Sequence, residues 1–171
     1  MIKLLLAGIA IREGICQMIE VSERRKIFNQ ARQYADNVGK PLLVVGAPKL
    51  RFNHPCGDVT IDISPAMARF CNGEVADVRA IPYPDDSFGA AFCSHVLEHL
   101  ATVDDAGKAL DELERVADKV FVASPSKSSL SAWLNPNHHL WVTSSGDGFI
   151  LEQRGNGIPK NKSYVIAMAI M

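Results

Sequence analysis

The chain predicts an α/β domain with a mostly parallel sheet flanked by helices. Short apolar runs alternate with helical patterns along the sequence, as in a sheet whose strands are joined by crossover helices. The runs LLVV and KVFVA are continuous rather than alternating, which suits strands covered on both faces. Polar residues gather just past the ends of these runs, where open α/β sheets build their sites.

Bulk properties bound the reading. The 171 residues suit one domain with a sizeable core. Hydrophobic residues at 47% and charged residues at 22% are ordinary for a globular protein. A net charge of -1, with no stripe of Lys and Arg, gives no signal for a nucleic-acid partner. Cys16, Cys56, Cys71 and Cys93 form no CxxC pair. They are expected to be reduced thiols of a cytoplasmic protein, with nothing requiring a disulfide.

The first eleven residues, MIKLLLAGIAI, are apolar apart from Lys3, too short a run to span a bilayer, and no small-residue cleavage pattern follows them. Ile2, Leu5, Leu6, Ile9, Cys16 and Ile19 fall on roughly one helical face. That pattern predicts a helix packed on the domain; the alternative is a helix that binds a partner or lies peripherally on a membrane. Residues 22–38 predict a helix capped by Ser22, with Ile27, Phe28, Ala31, Tyr34, Ala35 and Val38 as its apolar stripe. Gly39 ends it and Pro41 follows. The expected organisation is thus a helical extension over 1–38, packed on an α/β domain over 39–171.

Strands are expected at 42–45, 59–63, 74–77 and 89–94, the last entered through the turn YPDDSF. Residues 102–118 carry Ala106, Ala109, Leu110, Leu113, Val116 and Ala117 at helical spacing, with Asp104 and Asp105 near the N-terminus. A β-branched strand follows at 119–123. Beyond Ser124-Pro125 come a loop or short helix and strands near 140–142, 149–153 and 164–170.

The order LLVVG, DVTIDIS, GEVADVRAIPYPDDSFGAAFCSHVLEHL and ELERVADKVFVASPS resembles the class I S-adenosylmethionine-dependent methyltransferases, and most of all their short members. The likeness covers residues 41–126. It implies a Rossmann-like methyltransferase fold, S-adenosylmethionine as cofactor and methyl transfer to an unidentified acceptor, small or macromolecular. In that fold the cofactor lies across the strand ends at the point where strand order reverses. The resemblance gives Asp62, ending the second strand, the ribose hydroxyls, with Ile63 beside it. It gives Asp77, ending the third strand, the adenine amino group, with Val78 beside the ring. Gly46 lets the backbone approach the methionine end, and Ser94 and His95 leave the fourth strand at the methionine moiety and acceptor pocket. His95 is the candidate base wherever the acceptor must lose a proton. Taken singly, Asp62 reads equally well as a cap before Ser64-Pro65, and Asp77 as a turn residue.

One departure stands out. The family follows its first strand with a glycine-rich turn, whereas here Gly46 is followed by Ala47-Pro48, and Pro48 offers no backbone N–H. The crossover over 47–57 has eleven residues, fewer than a parallel connection with a full helix normally takes, so the first crossover helix is expected to be shortened or absent. These features leave a second function open, a catalytically degenerate methyltransferase fold serving as a non-catalytic binding or structural subunit. A third reading, a zinc hydrolase using His95, Glu98 and His99, rests on the spacing in HVLEH; the turn expected after the strand and the lack of an obvious third ligand oppose it, so no metal is expected. His138-His139 reads as a loop pair satisfied by backbone carbonyls or, by the resemblance, as the border of the acceptor pocket. The short chain suggests either an exposed site or completion by a partner subunit or a second copy.

Overall fold

The computed structural model describes residues 2–46, 56–146, 148–155 and 161–165. The first element is one helix, α1, Ile2–Val38. The expected start at Ser22 is corrected: the chain is already helical there and passes through Ser22 unbroken. No proline interrupts this stretch, so nothing forces a break. Beyond α1, Gly39 adopts a left-handed φ of 69° and the chain enters β1, Leu42–Val45.

There follow β2 (Val59–Asp62), α2 (Pro65–Ala68), β3 (Glu74–Val75), β4 (Ala90–Ser94), α3 (Val103–Val116) and β5 (Val120–Ala123). The five strands form one parallel sheet in the order β3-β2-β1-β4-β5. Strand order therefore reverses between β1 and β4, which places the crevice at their carboxyl ends. Residues 47–55, where the shortened crossover was expected, lie outside the described residues.

Alternation along the central strands assigns the two faces. Leu43 and Val45 of β1, Ala91 and Cys93 of β4 and Val120 and Val122 of β5 pack under Ala106, Leu110 and Leu113 of α3. Leu42, Val44, Ala90 and Phe92 turn the other way, against Phe28, Ala31 and Ala35 of α1. A sheet covered on both sides has no polar face, which is why its strands read as continuous apolar runs. Thr102 caps α3, its hydroxyl accepting from Asp105 N. Arg115 of α3 grips the YPDDSF turn, donating to the carbonyls of Ile81 and Tyr83 and to Asp85.

The chain ends in α4 (Leu130–Leu134) and an antiparallel sheet of β6 (Leu140–Ser145), β7 (Gly148–Gln153) and β8 (Asn161–Val165). Leu140, Phe149 and Leu151 join the α3 core. The last strand was expected at 164–170; β8 begins at Asn161, and 166–171 lie outside the described residues.

Two expectations change. Cys56 and Cys71 form a disulfide, Cα atoms 5.5 Å apart, so only Cys16 and Cys93 are free. Folding brings the β1–β2 crossover against the turn after α2, a proximity that cysteine spacing does not reveal. The argument for a reducing compartment therefore fails. The N-terminal half of α1 also behaves differently from its second half. Leu4, Leu5, Leu6, Ile9, Ile11, Ile15, Met18 and Ile19 are exposed, and Arg12, Glu13, Gln17 and Glu20 of this half form hydrogen bonds with residues 126–131. Among the described residues no helix is long and apolar enough to cross a membrane.

Candidate functional site

Every residue expected at a cofactor site lies around one open cleft. Gly46, Asp62, Ile63, Asp77, Val78, Ser94 and His95 line a cavity of about 1240 Å³ at the carboxyl ends of β1, β2 and β4. Gly46 is there because no other residue fits. Its φ is +89°, and a Cβ on it would lie 2.5 Å from the Ser94 carbonyl oxygen and 2.6 Å from Val96 Cγ2. Glycine alone reaches that backbone angle without strain and lets β1 and β4 approach so closely.

Asp62 ends β2 as expected, and its Oδ1 accepts from Ser64 N at 2.7 Å. Pro65 is the first residue of α2, but the Ser64 hydroxyl makes no capping bond. The place of Asp77 is corrected. β3 stops at Val75, and Asp77 lies two residues beyond, in an isolated bridge with Ala80. Arg79 holds it: Nη2 donates to Oδ2 at 2.6 Å, Nε to Oδ1 at 3.0 Å, and the Arg79 backbone N to Oδ1 at 2.9 Å. The guanidinium keeps the Asp77 carboxyl below its ordinary range and reaches Asp105 as well. Val78 is buried, whereas Ile63 is exposed.

His95 leaves β4 with a left-handed φ of 54°, a conformation that histidine visits more readily than most residues. Its N–H donates to the Ala123 carbonyl at 2.8 Å, tying the exit to β5. Its Nδ1 lies 3.3 Å from Glu98 Oε1. Glu98 is 1% exposed, and neither of its oxygens has a hydrogen-bond partner. The segment after His95 is a single 3-10 turn, Leu97–His99, so His95 and His99 do not share the face of an α-helix and the zinc motif read from HVLEH is not formed. The carboxylate and imidazoles that do gather are Glu98, His99 and His138, with ligand atoms within 4.8 Å of one another. His138 borders the cleft, but His139 does not line it. Burial lowers the His138 pKa and favours its neutral ring.

No local pattern points to the cleft's other wall. Gln17, Met18, Val21 and Arg24 of α1 line it, and burial lowers the Arg24 pKa. Carboxylates clamp α1 in place. Glu13 accepts from Leu130 N and Ser131 N, both at 2.8 Å, and from the Ser129 hydroxyl. Those backbone donors pull its pKa down to about 2. Glu20 accepts from Ser126 N. Partners more than a hundred residues away leave no trace in local periodicity, so no sequence pattern could have found this wall.

Residues 46–119 match a family model described as a methyltransferase domain. No curated protein matches the chain. Among solved structures, PH0226 protein from Pyrococcus horikoshii OT3 is similar at 16% identity and a TM-score of 0.45, over 84% of this chain and 76% of that one. YcgJ protein from Bacillus subtilis is similar at 16% identity and a TM-score of 0.40, over 70% and 69%. A chain from a complex containing the Haloferax volcanii Trm112 methyltransferase activator shows 17% identity and a TM-score of 0.37, over 57% and 52%. The family match covers less than half of the chain and spans all seven expected cleft residues.

Proposed function

We propose that the protein transfers a methyl group from S-adenosylmethionine to an acceptor entering the same cleft. The observation that carries this reading is the convergence of Gly46, Asp62, Asp77, Val78, Ser94 and His95 on one cavity at the sheet's switch point. Its volume of about 1240 Å³ exceeds the roughly 300–1,000 Å³ typical of a single small-molecule site, leaving room for a nucleoside cofactor and a second molecule. The Asp62 carboxylate at the end of β2 suits the ribose hydroxyls, each such charged hydrogen bond contributing about 1.5–3 kcal/mol. Gly46 leaves the β1 backbone open to the methionine end.

The cofactor supplies a methyl group on a positively charged sulfur, so the protein mainly has to align acceptor and donor and exclude water. α1 forms one wall for that purpose. His95, whose Nδ1 faces buried Glu98 at 3.3 Å, is the group placed to take a proton from the acceptor. Calorimetric titration with S-adenosylmethionine and S-adenosylhomocysteine tests the reading, and folded protein that binds neither sinks it. Asp62→Ala should weaken binding about tenfold to a hundredfold, the same hydrogen-bond energy expressed as affinity. Turnover that survives His95→Ala would remove the base.

One observation favours the second reading, a non-catalytic binding or structural subunit. Arg79 already occupies the Asp77 carboxylate, which the adenine amino group would otherwise find free. A subunit of this kind would bind a partner or a second copy of itself and leave both nucleosides unbound.

A further inference from the structure

We propose that Glu98, His99 and His138 form a binding site for one divalent transition-metal ion of the zinc class, bridging the turn after β4 to the loop before β6. The ligand atoms of these three side chains lie within 4.8 Å of one another. Two histidines and one glutamate are a recurrent three-ligand set for zinc, the remaining position being open.

Each residue is prepared for ligation in a different way. The Glu98 side chain is 2% exposed. Oε1 faces His95 Nδ1 at ion-pair distance, and neither oxygen has a hydrogen-bond partner. A carboxylate that stays ionised when buried is paired with a positive charge or coordinates a metal. His99 Nδ1 lies 2.9 Å from the Asn137 carbonyl oxygen. A carbonyl only accepts, so Nδ1 carries the proton of the neutral ring and Nε2 keeps its lone pair. Zinc-ligating histidines are oriented by this kind of bond. His138 Nδ1 is buried without a partner, and its ring meets that of His99 edge to face at 4.8 Å between centroids.

The backbone around the three is fixed. His139 N donates to the Glu98 carbonyl at 2.7 Å, and Arg154 N to the His139 carbonyl at 2.8 Å. The Arg154 guanidinium stacks on Trp141 and Trp133 and donates to the Ala132 and Trp133 carbonyls, which holds the loop carrying His138. Tetrahedral ligands about 2.0–2.1 Å from zinc stand roughly 3.3 Å apart, so the shell closes by up to about 1.5 Å. Exposed His99 can supply that movement by rotating its side chain. Since His99 and His138 line the cleft, the ion's open position faces the acceptor side. This ligand set lacks His95 and needs no helical HExxH.

The test uses the full chain, disulfide intact, stripped with a chelator and titrated with zinc by calorimetry and with cobalt by visible spectroscopy. One equivalent should bind and raise the melting temperature. His99→Ala and His138→Ala should each weaken zinc about a hundredfold, the upper end of what supporting residues alone contribute at such sites. Glu98→Gln should do the same; if it fails to fold, the two histidine variants decide. Absence of stoichiometric binding, or affinity unchanged in both histidine variants, overturns the proposal. So does a cobalt spectrum carrying a thiolate charge-transfer band, since it would put the ion on cysteine. No nucleoside enters these measurements, so methyl transfer and the metal site can fail separately.

Discussion

Gly46→Ala puts a methyl group where β1 and β4 leave no room for one. Two costs add. At a φ of +89° a residue with a Cβ is less favourable than glycine by about 1–2 kcal/mol. The new Cβ would stand 2.5 Å from a backbone oxygen of Ser94 and 2.6 Å from Val96 Cγ2. Overpacking of that kind costs about 1–3 kcal/mol. Alanine returns roughly 0.4–1 kcal/mol by restricting the unfolded chain, so the net loss is about 3 kcal/mol. In a domain of this size that lowers the melting temperature by roughly 6–12 °C.

Gly39→Ala is the internal control. Gly39 also has a left-handed φ, 69°, but a Cβ there meets nothing within 4 Å. It bears the conformational cost alone, about 1 kcal/mol. Urea unfolding of both variants, with unchanged m-values, isolates the clash as their difference of about 2 kcal/mol. A Gly46→Ala variant no less stable than Gly39→Ala would refute the close approach of the two strands. The same methyl group intrudes at the carboxyl end of β1, so nucleoside affinity should fall in Gly46→Ala and hold in Gly39→Ala.

Other outcomes follow from the contacts around the cleft. Cys56→Ser/Cys71→Ser should lower unfolding stability by about 3 kcal/mol, the loop-closure value for a separation of 15 residues; equal urea midpoints for variant and parent would deny the bridge. Glu13 has a folded pKa of about 2 against 4.5 ordinarily. A depressed acid stabilises above the unfolded pKa, so its hold on α4 is complete above about pH 4.5 and lost as pH falls toward 2. Hydrogen exchange in the N-terminal half of α1 should quicken over that window, and Glu13→Gln should erase the dependence. Arg79→Ala should change stability by about 1 kcal/mol or less, because its ion pairs are partly exposed to solvent. It should also let the Asp77 pKa rise, which carboxylate NMR would follow.

What the sequence made legible was local. The four core strands and α3 are written in runs and spacings that chain physics fixes over a few residues: LLVV can be covered on both faces, and Ala106, Leu110 and Leu113 can face only one way; the roles of the switch-point residues come from the family resemblance. Asp62 was placed at its strand end by that logic. What stayed hidden depends on distant partners. Asp77 lies off the end of β3 because a two-residue edge strand gives no periodicity to read and Arg79 draws the carboxylate into a turn. The Cys56–Cys71 bridge and the α1 wall, with Glu13 bound to residues 129–131, are tertiary facts. The helical spacing of the apolar N-terminus predicts a packed face, but helical spacing says nothing about whether a partner lies opposite.

Glu98 is where these threads meet. Leaving one member of a buried ion pair without its partner is strongly destabilising, so an ionised carboxylate at the depth of Glu98 needs a positive charge beside it. Two are available by geometry, a protonated His95 through Nδ1 and an ion held with His99 and His138. His95→Ala tells them apart: zinc affinity that survives the substitution shows the ion answering Glu98 without His95, and zinc affinity lost with it shows that the imidazole supports the carboxylate.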